Sequence, residues 1–132
     1  MLSPGKSPRP TRPRSAGSAL GAAPKLKVWV AFATGAKLGH GRAELLGLID
    51  RLGSIQRAVN EMGMSYRNAW GYLRELERAA GFKLLERPAG RGPGAGTRLT
   101  AGGRQFLERY QRFEAEIAKE ADRRFRRIFS GG

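Results

Sequence analysis

Cysteine is absent from the 132 residues, which excludes a disulfide framework, a thiolate nucleophile and a cysteine-based metal site. Histidine occurs once, as His40, in a glycine-rich stretch without other metal-type ligands, and reads as an ordinary loop residue. The 11 carboxylates are scattered along helical patterns, so no acid–base pair for catalysis is evident. No enzymatic activity, cofactor or metal is expected. Apolar runs are short: none approaches the roughly 18–20 residues that span a bilayer. The segment "SALGAAPKL" is too short and too polar for the apolar core of a signal peptide. A cytoplasmic protein without a membrane role is expected. Acidic residues are missing altogether before Glu44.

Basic residues are plentiful instead. The formal charge is +14 and the isoelectric point about 11.5. Such an excess points to a polyanionic partner, and composition alone does not choose between nucleic acid and an anionic membrane. Residues 1–24 hold five of the seven prolines and few large apolar groups, the composition of a disordered basic arm. The arm reads either as a loose leader or as a segment that lies along phosphates.

Residues 25–99 read as one folded domain. In "KLKVWVAFATG", Leu26, Val28, Val30 and Phe32 alternate with Lys27, Trp29 and Ala31, which predicts a half-buried strand. Trp29 falls on its polar face, so a helix or a second subunit is expected to cover it, ahead of any ligand. "GRAELLGLIDRLGS" predicts a helix through Leu45, Leu46, Leu48, Ile49 and Leu52, ended by Gly53. Ser54 is placed to cap a second helix, in which Ile55, Ala58, Val59 and Met62 form one apolar stripe. Gly63 supplies a tight turn, and Ser65 caps a third helix that Gly81 ends. "FKLLER", a Gly/Pro loop carrying Arg91, and "TRLT" with Arg98 then form a hairpin. Residues 100–129 are expected to form a single long helix. Its seam of Phe106, Tyr110, Phe113, Ile117, Ala121 and Ile128 calls for a partner to bury it.

At about 100° per residue, Ala69, Leu73, Leu76 and Ala80 of the third helix share one direction, with Tyr66, Trp70 and Glu77 at its flank. The opposite face presents Arg67, Asn68, Gly71, Arg74, Glu75 and Arg78. Two helices joined by a short turn, the second with a hydrogen-bonding outer face, match a helix-turn-helix. Arg67 pairs well with guanine and Asn68 with adenine. Ser65, Tyr66 and the amides of the helix start suit phosphate, although Tyr66 reads equally as a packing residue. Trp70 reads as structural. Ser54, Gln56 and Arg57 of the preceding helix, Gly71 as a point of close approach, and Arg74 complete the DNA-facing set. Arg91 and Arg98 belong to the hairpin, read as the wing of a winged helix. Glu75 and Glu77 are expected to repel phosphate and tilt the later turns away.

The stretches "GSIQRAVNEMGMSYRNAW" and "LLERPAGRGPGAGTRLTAGGRQFLERY" resemble the N-terminal DNA-binding domain of ModE-type, molybdate-dependent transcriptional regulators. That domain is similar to the winged helix of LysR-type regulators, and the resemblance covers about residues 25–129. It implies a homodimer joined through the long helix, a palindromic double-stranded DNA operator, and Ser65 to Asn68 at the DNA-facing start of the recognition helix. Members of the family continue into oxyanion-binding domains. This chain stops at Gly132 and offers no molybdate pocket, so the expectation is that a response to molybdate either comes from a separate oxyanion-binding protein as partner or has been lost.

The expected fold is mainly α with a small antiparallel sheet: a winged helix-turn-helix followed by a long dimerisation helix. The expected function is sequence-specific DNA binding by a transcriptional regulator. The alternatives are a nucleoid-type architectural protein with little sequence specificity, and a protein-interaction module.

Overall fold

A computed structural model describes residues 21–87 and 96–130. The elements, in order, are β1 (Val30–Ala31), β2 (Lys37–Leu38), α1 (His40–Leu52), α2 (Ile55–Met62), α3 (Tyr66–Ala80), β3 (Leu85–Glu86), β4 (Arg98–Leu99) and α4 (Ala101–Ser130). The architecture is mainly α, a winged helix-turn-helix with a long last helix, as the sequence predicts. Lys27–Phe113 form one compact unit, and α4 beyond Phe113 falls in a second. The first turns of α4 therefore belong with the helix-turn-helix rather than apart from it.

The helices form where apolar periodicity and end signals coincide. Ser54 caps α2, its Oγ accepting from Arg57 N at 3.0 Å; Ser65 caps α3 in the same way, from Asn68 N at 3.0 Å. Between them Gly63 takes a left-handed conformation, φ 67°. This lets Met64 N donate back to Val59 O at 3.0 Å and close α2. Leu45, Leu46 and Ile49 of α1 are buried with Ala58 and Val59 of α2 and with Ala69, Leu73 and Leu76 of α3. Leu38, Leu84, Leu99, Leu107 and Tyr110 close that core from the strands and from α4.

The strands depart from expectation. The alternation over residues 26–32 yields only a two-residue strand, and Leu26 lies exposed. β1 pairs antiparallel with β2, which the periodicity did not predict, in the register Val30↔Leu38 and Ala31↔Lys37. The turn is closed by Phe32 N donating to Ala36 O at 2.8 Å. His40 is not in a loop; it begins α1. "FKLLER" likewise contributes only Leu85–Glu86, paired Leu85↔Leu99 and Glu86↔Arg98, so there are two small sheets instead of one. Two-residue ladders cannot stand alone, and side chains from the helices hold this one. Glu77 Oε2 of α3 accepts from Leu84 N and Leu85 N, at 2.8 and 3.1 Å. Asp50 Oδ1 of α1 accepts from Leu99 N and from Arg104 Nη2, each at 3.0 Å.

The start of α4 is pinned to the same hairpin. Thr100 Oγ1 donates to Lys83 O at 2.7 Å and accepts from Gly103 N at 2.9 Å. A Cβ on Gly103 would lie 2.4 Å from Leu84 O. Only a residue without a side chain lets α4 approach the β3 backbone this closely.

Two expected outcomes follow from these contacts. Gly103→Ala must push α4 off the hairpin and is expected to lower stability by about 1–3 kcal/mol, read from urea unfolding. Asp50 supplies the pH dependence. Burial raises its pKa, but the Leu99 amide, the hydrogen bond and charge of Arg104, and the charge of Arg98 outweigh burial and hold it below the usual carboxylate range. Because the folded-state value is depressed, its contribution is full above the ordinary aspartate range near pH 4 and is lost as pH falls through the folded value. Asp50→Asn should therefore be less stable than the parent at pH 7, with the gap narrowing towards pH 3.

Candidate nucleic-acid interface

The burial of one stripe of α3 decides which side chains it offers outward. With Ala69, Leu73 and Leu76 turned into the core, Arg67, Asn68, Gly71 and Arg74 all lie exposed along its outer face. Arg67 has no ion-pair partner among the described residues. Asn68 gives its backbone amide to the cap, and the residue lies exposed. The Ser65 hydroxyl accepts that bond, so its own proton remains available to an anion. Nothing stands within 4 Å of where a Cβ of Gly71 would be. Its glycine is therefore not required by packing.

Tyr66, Trp70 and Arg74 form a ladder along the flank of α3. Tyr66 meets Trp70 edge-on at 6.3 Å between centroids, and the Arg74 guanidinium lies 5.9 Å from the Trp70 ring. Trp70 is half-buried against the core, while Tyr66 stays 41% exposed, so its phenol is available at the helix start. On α2, Gln56 and Arg57 are exposed; Gln56 Nε2 donates to Asn60 Oδ1 at 3.0 Å, and Arg57 Nη1 donates to Leu52 O at 3.5 Å. Ser54 is committed to its cap and half-buried.

The acids on α3 play a different part from the one expected. Glu77 does not face outward as a repeller of phosphate; it holds the β3 amides. Glu75 is engaged by Arg42 at 3.4 Å. Arg74, Arg78 and Lys83 edge one open depression with Phe82 and Glu77, a mainly basic group that lies between α3 and the hairpin. Arg98 is exposed, with Nε bound to Glu86 at 2.9 Å, so part of its charge is already answered. Arg91 lies outside the described residues.

The seam read on α4 divides in two. Phe106 packs with Phe32 and Phe82, each at 6.1 Å between centroids. Tyr110 is buried, its hydroxyl donating to Val28 O at 2.7 Å. Tyr110 belongs to the chain's own core and Phe106 is partly buried against it. Phe113 and Ile128 are exposed, and Ile117 and Ala121 half-buried. No helix among the described residues is long and apolar enough to cross a membrane.

Residues 42–104 match the family model described as the bacterial regulatory helix-turn-helix protein, lysR family. This segment is a LysR-type helix-turn-helix domain. Among curated relatives, the molybdenum-pterin-binding protein MopB of Rhodobacter capsulatus is 35% identical over 86 residues, 65% of this chain and 32% of its own. The molybdenum transport protein ModE of Azotobacter vinelandii is 36% identical over 94 residues, 71% of this chain and 35% of its own. The chain thus spans about a third of the length of the curated relatives it matches. Among solved structures, the CbnR DNA-binding domain in complex with DNA aligns with a TM-score of 0.51 at 25% identity, over 63% of this chain and 90% of that one.

The open space at Gly71 gives a direct test of whether this face is shaped by folding. A mid-helix glycine costs about 0.5–1 kcal/mol relative to alanine. Gly71→Ala is expected to raise the unfolding free energy by that amount, measured by thermal or urea denaturation.

Proposed function

We propose that the chain is a sequence-specific DNA-binding transcriptional regulator, acting in the cytoplasm as a homodimer on a palindromic operator. The observation that carries this reading is the outer face of α3: exposed Arg67, without an ion-pair partner among the described residues, and exposed Asn68 at its start, with Gly71 open behind them. Arg67 would read guanine and Asn68 adenine in the major groove. Ser65, Tyr66, Arg57 and Arg74 would hold the flanking phosphates, assisted by the positive end of α3. The resemblance to a LysR-type domain solved with DNA supports a DNA-binding role.

Dimerisation would use the C-terminal part of α4. Phe113, Ile117, Ala121 and Ile128 remain as its seam, and the Phe125–Phe129 stack, 4.4 Å between centroids, lies on the same helix. Two copies would set their α3 helices in successive major grooves, roughly 34 Å apart. A link to molybdate-responsive regulation rests on the relatives, which are named for molybdenum.

Selection of bound DNA from a random pool tests the reading. Enrichment of a palindrome is expected, and a pool left unenriched at near-physiological salt would favour a nucleoid-type protein instead. On the selected operator, Arg67→Ala should flatten the preference among variants of the site, whereas Arg74→Ala should weaken all of them alike. With about six phosphates neutralised, log K should fall against log salt with a slope near −5. Unchanged affinity and preference in Arg67→Ala would remove that side chain from the interface.

A further inference from the structure

A second concave surface lies on the other flank of α3, between the β1–β2 hairpin, the start of α1 and Met64 of the helix-turn-helix. Its volume is about 330 Å³, at the lower end of the range of small-molecule pockets, roughly 300–1,000 Å³. Leu45, Met62 and Met64 make an apolar floor, and Trp29 and Tyr72 supply aromatic walls. The lining includes two cations, Lys37 and Arg42, and no carboxylate.

Trp29 is 58% exposed, and one edge of its indole lies against the backbone. A Cβ on Gly39 would lie 2.2 Å from Trp29 Cδ1 and 2.5 Å from Nε1, so the indole edge rests directly on the Gly39 backbone. An exposed aromatic ring held in this way loses little entropy when another ring stacks on it. The opposite wall is also held. The Arg42 guanidinium lies 4.1 Å from the centre of the Tyr72 ring, donates to Lys37 O at 2.8 Å, and pairs with Glu75.

The two cations differ in what answers their charge. That of Arg42 is met by Glu75. Lys37 has no carboxylate partner among the described residues. Its Nζ stands 5.8 Å from the Trp29 ring centroid, on the same outward face of the hairpin. An exposed indole with one edge against the backbone, an adjacent unanswered ammonium and a wall without acids together describe a receptor for a flat molecule bearing one negative charge.

We propose that this pocket binds a planar aromatic anion, its ring stacked on Trp29 and its carboxylate or equivalent group bonded to Lys37 Nζ. The bound ring would rest on the methionine floor and touch Tyr72, which lies one turn beyond Asn68 on α3. The site is separate from the outer face of that helix and is independent of what that face binds.

The test uses 1-naphthoate as probe on the full chain, followed by ¹⁵N-detected shifts of the two indole N–H groups. Saturable movement of the Trp29 signal is expected, with that of Trp70 unmoved. Neutral 1-naphthamide and the non-aromatic cyclohexanecarboxylate should each bind at least about tenfold more weakly, the loss expected for one charge-assisted hydrogen bond or one stacked ring. Lys37→Gln changes an exposed side chain and should reduce naphthoate to the level of the amide. The proposal is overturned by any of three results: no saturable shift at Trp29, equal affinity for acid and amide, or a Lys37→Gln variant that binds naphthoate like the parent.

Discussion

The burial of Ala69, Leu73 and Leu76 against α1 and α2 is the constraint on which the rest depends. A helix has one rotational setting that hides a stripe of this kind. Once that setting is taken, Arg67, Asn68, Gly71 and Arg74 have no freedom to face elsewhere. The outward presentation of these side chains is therefore a by-product of core packing on the reverse side of α3. Removing a buried leucine at this point would leave a cavity costing about 2–5 kcal/mol, and would also loosen the angle at which the polar face is presented.

The hairpin after α3 shows a different solution to a small fold's problem. Its strands are too short to stabilise themselves, so amides that a wider sheet would satisfy are taken up by Glu77 and Asp50. Each carboxylate bonds backbone from a helix already fixed by the core. Thr100 then serves strand and helix together, which is why α4 starts where the hairpin ends. Several acids of this strongly basic domain are thus internal fastenings. The outer surface that remains is correspondingly rich in cations, some of them, such as Arg42 and Arg98, paired with surface carboxylates.

What was legible in the sequence was mostly local. The helices were readable because apolar spacing and the end signals at Gly53, Ser54, Gly63, Ser65 and Gly81 lie within a few residues of each other. The outward face of α3 followed from the same periodicity. The strands were not readable at their true length, since Leu99 depends on a carboxylate 49 residues away. β2 was missed because the Gly/Ala-rich stretch before α1 carries no alternation, and Ala36 and Leu38 become core only once α1 packs on them. Tyr110 and Phe106 show a further limit: spacing identifies an apolar face but not what covers it. Arg98 and Glu77 are similar cases, each with a charge whose direction is decided by a neighbour remote in sequence or out of helical register. Trp29 was expected to be covered by a helix or a second subunit, and among the described residues it stays 58% exposed.

The turn between α2 and α3 is three residues long and closed at both ends, by the backbone bonds around Gly63 on one side and the Ser65 hydroxyl on the other. Such a joint has no slack, so the two helices travel as a single block. Any movement that changes how α3 is presented must therefore carry α2 with it.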